Sequence, residues 1–322
     1  MNKPFFYTFA AIILLTAASR NAFCQAVMTM TTSEKYAEIG LKGSGKITID
    51  WGDRKKETHI LSNTPTGMYT HIYPDTLEHT ITIIGEDIRF LNCNDKRLRS
   101  LDVSKNIALE SLSCSNNQLK SLDVSKNIAL EDLNCSNNQL SSLDLSNNTA
   151  LTFLGCTHNQ LSRLDLSKNI ALTNLYCYNN QLISLDLSKN TLLTTLHCYN
   201  NQLADLNITK NTVLMELNCT NNKLISLDVS QNTKLRILQC SQNLLTSLDV
   251  SRNTNLFLLV CSDNNFSDAA VNELFETLHN KNTSRKKEIY ISTFFNCDLS
   301  IPAKKGWVVI DESFEPFYKK KY

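Results

Sequence analysis

Glycine and proline are scarce, with eight and five in 322 residues, and the stretch from Ile88 to Phe266 holds one glycine, Gly155, and no proline. That excludes a glycine-rich phosphate loop and the glycine-rich aspartate repeats that hold calcium in β-rolls. The six histidines, His59, His71, His79, His158, His197 and His279, make no HExxH and no zinc spacing. Among eleven cysteines there is no CxxC pair, so the common metal and redox motifs are missing too. Neither sign of charge dominates, at 32 basic against 31 acidic residues, which favours neither nucleic acid nor an anionic membrane as partner. Catalysis, a metal and a cofactor are all without a sequence signal.

What the chain does have is a ruler. Nine cysteines, Cys93, Cys114, Cys135, Cys156, Cys177, Cys198, Cys219, Cys240 and Cys261, stand 21 residues apart without a slip. Each period reads like Leu109 to Leu130, and the pattern L-x-apolar-x-x-N occurs twice within it, at Leu112–Asn117 and at Leu122–Asn127. In an extended segment alternate residues face opposite sides, so Leu112 and Cys114 point one way and Ser113 the other. A single coil cannot bury its inward row alone, but stacked coils join those rows into one core.

In this frame the repeated polar residues have structural explanations. Each cysteine fills the slot that Val124 or Leu145 fills in the other half-coil, where a buried free thiol serves as a small apolar group. A disulfide framework is the alternative for an exported chain. The asparagine column from Asn117 to Asn264, and a parallel one from Asn106 to Asn253, can satisfy turn backbone groups. The aspartates Asp102, Asp123, Asp144, Asp165, Asp186, Asp228 and Asp249 recur because the repeat recurs. Neighbouring carboxylates repel, and a basic stripe three residues on, Lys105, Lys126, Lys168, Lys189, Lys210 and Arg252, is expected to offset that repulsion. Calcium held between coils is the rival reading of this column.

Over about Ile88 to Phe266 the chain resembles the leucine-rich repeat family, in its bacterial 21-residue, internalin-like variety with consensus LxxLxLxxNxLxxLDLxxNxx. The resemblance implies a mainly β fold, a right-handed parallel solenoid, and a role in binding macromolecules rather than catalysis. Lys96 departs from the asparagine column, Asn207 from the aspartate column, and Phe266 closes the leucine column.

The flanks are read separately. Residues 1–26 carry Lys3, an apolar run from Phe5 to Ala18 and then small or polar residues, which reads as a cleaved signal peptide and an exported, secreted or surface-displayed product. Bulky Phe23 argues against a lipid anchor at Cys24. Without Lys3 and Arg20 the formal charge becomes 30 minus 31, or −1. The apolar run is short for a membrane span, and no span is expected in the mature chain. Residues 27–87 hold most of the glycines and β-branched stretches such as Thr80–Ile84, an all-β pattern. KITIDWGD (Lys46–Asp53) and YTHIYPDTLEHTITIIG (Tyr69–Gly85) resemble the PKD-like β-sandwich family, with Arg54 where a glycine is usual. After Ser267, the residues Ala270, Val271, Leu274, Phe275 and Leu278 make one helical apolar face, followed by strands near Glu288–Ile291 and Val308–Ile310. Residues 267–322 therefore read as a cap and a solvated tail, Lys319–Tyr322.

Functional information lies where the scaffold leaves positions free, on the outward face of the cysteine strand. Most of these positions are Ser, Thr, Asn or Glu, but in the central coils they become Phe153, His158, Tyr176, Tyr178, His197 and Tyr199. Stacking places Tyr178 beside Tyr199 and Tyr176 beside His197, either as an anchor for a protein partner or as plain cross-strand packing. A glycan stacked on the same Tyr/His platform and a ligand-free spacer are the alternatives. A second apolar group, Ile237, Phe257, Leu258 and Val260, is expected beneath the C-terminal cap. A monomer is expected, and Cys297 is read as a buried cap thiol.

Overall fold

The structure, a computed structural model, describes residues 25–64, 66–282, 285–292 and 297–311. Of the segment read as a signal peptide, residues 1–24, Cys24 among them, lie outside the described residues, as does the tail after Asp311.

The chain opens with five strands, β1 (Ala26–Thr32), β2 (Tyr36–Asp50), β3 (Lys56–Ile60), β4 (Gly67–Ile72) and β5 (His79–Asn92). Apolar residues alternate along β1 and β2 and bury Met28, Met30, Ile39, Leu41, Ile47 and Ile49. Strand β2 changes partners midway: Tyr36–Leu41 pairs with β4, and Lys46–Asp50 pairs with β3. The bend falls at Gly43 and Gly45, both at positive φ, and a Cβ on Gly43 would lie 1.9 Å from the Asp87 carbonyl oxygen. Only glycine fits there. In the Trp51-Gly-Asp53 turn, Arg54 takes φ 73°, so the chain keeps a left-handed conformation where glycine would be unstrained. Asp53 Oδ2 and His71 Nε2 lie 2.8 Å apart, and the Tyr73 hydroxyl donates to the Trp51 carbonyl at 2.7 Å.

Strand β5 does not stop at the edge of this region. Its end, Phe90–Asn92, pairs in parallel with the next rung, and β1 pairs with β6 (Ser100–Asp102). The division drawn after residue 87 therefore falls inside one continuous strand. One hydrogen-bonded sheet runs through both regions, and the N-terminal strands cover the first coil.

The coils then follow as three-residue strands: β7 (Ser111–Ser113), β8 (Asp132–Asn134), β9 (Phe153–Gly155), β10 (Asn174–Tyr176), β11 (Thr195–His197), β12 (Glu216–Asn218), β13 (Ile237–Gln239) and β14 (Leu258–Val260). They are parallel and in register, leucine on leucine. The central leucines and the ladder cysteines are buried. The thiols are free, and burial raises their pKa, to about 12 for Cys93, Cys135 and Cys219. Past each cysteine from Cys114 on the chain turns through a left-handed residue with φ between 51° and 55°, at Asn116, Asn137, His158, Asn179, Asn200, Asn221, Gln242 and Asp263, and past Cys93 it does so at Asp95 with φ 60°. Asparagine, aspartate and histidine tolerate that conformation better than most residues.

The two asparagine columns do different work. Asn138 Nδ2 donates to the carbonyls of Cys114, Cys135 and Ser136, while its Oδ1 accepts from Leu119 N in the neighbouring coil. Asn169, in the other column, donates to the carbonyls of Leu145 and Asn148, and its buried Oδ1 has no protein partner. The aspartate column is also local: Asp123 Oδ1 accepts from Ser125 N at 2.9 Å, and the same turn recurs at Asp102, Asp144, Asp165, Asp186, Asp228 and Asp249. Asn207 accepts from Thr209 N in the same way, which explains its place in the column. Those hydrogen bonds, not ion pairs, hold the carboxylates. Among the described residues no ion pair within 4 Å joins this column to the lysine stripe.

The C-terminal end is closed by α1 (Asp268–Thr277), β15 (Lys287–Ile291), α2 (Ser300–Lys304) and β16 (Trp307–Asp311). Ser267 caps α1 by accepting from Ala270 N, and Val271, Leu274 and Phe275 face the last coil. The amine of buried Lys287 donates to the Lys281 and Lys305 carbonyls, beside the Trp307 ring.

Candidate functional site

Three columns of side chains stand on the exposed face of the sheet, because only every second residue of each short strand points inward. Through the middle coils the first column runs Asp132, Phe153, Asn174, Thr195, Glu216. The second runs Asn134, Gly155, Tyr176, His197, Asn218. The third continues past each cysteine as Ser136, Thr157, Tyr178, Tyr199, Thr220. The scaffold does not dictate these identities, so the aromatic block is a local choice.

The structure brings all six residues singled out by the sequence into one cluster. Tyr178 and Tyr199 stack with ring centroids 4.2 Å apart and planes 9° apart. Tyr176 meets His197 edge to face at 5.0 Å, Phe153 tilts against Tyr176 at 5.6 Å, and His158 meets Tyr178 edge to face at 5.4 Å. His158 is exposed at the rim, on its left-handed turn, and the other five are half-buried. Desolvation raises the Tyr176 hydroxyl pKa, and the nearby Glu216 carboxylate adds to the shift.

Five neighbours of the cluster were not singled out by the sequence reading. Glu216 Oε1 lies 2.8 Å from His197 Nε2, and this hydrogen bond is the main cause that lowers the Glu216 pKa. Along the rim, Asn221 Nδ2 donates to Asn200 Oδ1 and Asn200 Nδ2 to Asn179 Oδ1. Asn179 Nδ2 in turn lies 2.6 Å from His158 Nε2. Gly155 puts no side chain between Asn134 and Tyr176, and a Cβ there would come within 3.1 Å of Asn134 Oδ1. Reading the repeat by columns would have found Gly155, which lacks a side chain where its neighbours Asn134 and Tyr176 have one, but not Glu216, a usual outward residue type that only its contact with His197 sets apart.

The second apolar group is placed differently from expectation. Strand β15 adds beside β14 as the next rung, so the cap closes the end of the coil rather than the face of the sheet. Val260 is buried, while Ile237, Phe257 and Leu258 stay half-buried on that face, with the Arg285 guanidinium 4.7 Å from the Phe257 ring centroid. Cys297 is partly exposed against the core rather than buried.

Among the described residues no group of three or more His, Cys, Asp or Glu side chains is arranged to hold a metal, and no helix is long and apolar enough to cross a membrane. No protein-family model matches the chain, and no curated protein matches it. Solved structures do. The functional domain of InlJ from Listeria monocytogenes, which includes a cysteine ladder, is 35% identical over 69% of this chain, with a TM-score of 0.62. This chain spans about half of that structure, 49%. The internalin InlF from Listeria monocytogenes shares the fold at 18% identity and a TM-score of 0.52, over 69% of this chain and 82% of its own. With coils of 21 residues, a buried leucine row and a ladder of free cysteines in register, this chain has the leucine-rich repeat solenoid fold of the internalin-like structures it resembles.

Proposed function

We propose that the protein is a secreted or surface-displayed binding protein that holds a protein partner on the aromatic-bearing face of its sheet. One observation carries this reading: in adjacent coils Phe153, Tyr176, Tyr178, His197 and Tyr199 interrupt columns that between Ser111 and Thr220 otherwise hold polar residues and Gly155. The scaffold does not need them, since the same leucine and cysteine rows pack beneath Ser113 or Asn134 as well. Tyrosine clusters on a rigid surface suit protein recognition, because the side chains lose little freedom on binding. A protein contact needs about 800 Å² per partner, which several coils supply.

The test is affinity capture by the full chain against pools of extracellular proteins and, separately, of glycans, beside a folded Tyr176→Ala/Tyr178→Ala/Tyr199→Ala variant. The reading expects specific capture from the protein pool that the variant loses. Equal capture by both chains would move the site elsewhere, and capture from the glycan pool alone would make the platform a sugar site.

A further inference from the structure

Charge is divided between the two halves of each coil. On the sheet-bearing half-coils from Leu109 to Asn222 there is no lysine or arginine, while Glu110, Glu131, Asp132 and Glu216 are present. The opposite half-coils over the same stretch carry Lys120, Lys126, Arg163, Lys168, Lys189 and Lys210. In a chain with nearly equal numbers of acids and bases, this face is purely acidic.

The carboxylates are also placed with respect to the aromatic block. Asp132 and Glu216 stand in the same column at its two ends, four rungs apart, with Phe153, Asn174 and Thr195 between them. At about 4.8 Å per rung that separation is on the order of 19 Å, or about six residues of extended chain. Glu110 is already paired with Arg89 at 2.9 Å, whereas Asp132 is exposed. Glu216 meets His197, a partner that is neutral unless protonated. Tyrosine faces between two carboxylates are a receptor for guanidinium or ammonium groups, which gain from both the ring quadrupole and the charge.

Resting on the platform reading above, we infer that the occupant of this face is a basic polypeptide segment, with arginine or lysine side chains reaching Asp132 and Glu216 and its middle lying across Tyr176, Tyr178 and Tyr199. An acidic or phosphate-rich partner is disfavoured on the same ground.

The probe is a fluorescent twelve-residue Gly/Ser peptide with two arginine pairs spaced about six residues apart, compared with the same peptide carrying glutamine or glutamate in place of arginine. Anisotropy is read on the full chain and on three variants whose melting curves match the parent. The arginine peptide should bind at least tenfold tighter than the other two, and weaken with added salt. Asp132→Asn/Glu216→Gln should cost at least fivefold, Tyr178→Ala/Tyr199→Ala should abolish binding, and Asp165→Asn/Asp186→Asn on the opposite half-coils should change nothing. The inference falls if the glutamine peptide binds as well as the arginine one, if no peptide binds, or if the Asp165/Asp186 pair proves responsible. Binding of the glutamine peptide that the tyrosine variant loses would spare the platform and sink only the charge preference. Arginine binding that survives loss of the tyrosines would sink the platform itself.

Discussion

The two halves of a coil begin from nearly the same six-residue phrase and end as different structures. Leu112-Ser-Cys-Ser-Asn-Asn117 becomes a hydrogen-bonded rung with a left-handed turn, and Leu122-Asp-Val-Ser-Lys-Asn127 becomes an aspartate turn without a strand. The first half buries a thiol and ties its asparagine to four backbone groups; the second buries a branched apolar side chain and leaves the asparagine Oδ1 unpaired. Sequence similarity between halves thus reports the shared inward row, and the halves differ at the second, third and fifth positions, the second being the aspartate that makes the turn. The half that pairs is the half that displays variable residues.

The largest effect separating the halves should come at alkaline pH. Burial raises the thiol pKa along the ladder from Cys93 to Cys240, whereas an unfolded cysteine ionises near 8.5. The folded pKa is above the unfolded one, so this stability is fully present below about pH 8.5 and is lost as the pH rises toward about 12. Each thiol adds up to about 1.4 kcal/mol of lost stability per pH unit in that window. Urea melts between pH 8 and 10 should show a steep fall, shallower in a Cys135→Val/Cys156→Val/Cys177→Val variant. Equal slopes in the two proteins would mean the ladder thiols are not buried.

Next in size is the contrast between the asparagine columns. Asn138→Ala strands the Leu119 N–H and removes the donor to three carbonyls, so it should cost about 3 kcal/mol or more. Asn169→Ala removes two donations but also a buried oxygen that lacked a partner, and should cost about half as much. Denaturant midpoints of the two variants decide it, and equal losses would erase the distinction between the halves.

How much of this could be read from the sequence depends on what repeats. The period, the inward leucine and cysteine rows and the helix after Ser267 followed from spacing, because burial of a stacked row admits few alternatives, while the parallel order of the strands came from the resemblance to leucine-rich repeats. The tyrosine and histidine pairs followed too, since register is fixed by the same ruler. The Asp–Lys stripe was half of the account: the Ser125 turn bond is the main hold on Asp123, and the Lys126 charge adds to it as the equal spacing suggested. The continuity of β5 into the first coil was hidden because no composition change marks a strand that serves two regions. Glu216 was missed because one carboxylate in one coil has no periodic signature.

The aspartate turns should give a smaller effect, in the opposite pH direction from the thiols. Hydrogen bonds from Ser125 hold the Asp123 carboxylate below the usual carboxylate range, so its contribution is present above about pH 4 and is lost as pH falls through the depressed folded value. Solvent screening keeps it under about 1 kcal/mol per residue. Asp123→Asn should be almost neutral, because Asn207 accepts the same turn bond in its own coil, and Asp123→Ala should lose that bond. Equal losses for Asn and Ala would show that charge, and not the turn, is what the column supplies.

A small change in stability is expected of the residues with the largest expected role in binding. Removing the stacked pair with Tyr178→Ala/Tyr199→Ala deletes its own contact and those with His158 and His197 on a half-open face, each worth about 0.2 to 1 kcal/mol, and leaves Cys177, Cys198 and the leucine rows beneath untouched. A melting shift within the sum of those contacts, together with loss of peptide or partner binding, would separate display from scaffold. A loss several times greater would mean that the tyrosines act as sheet glue, because side chains that the fold depends on are not free for a partner to choose.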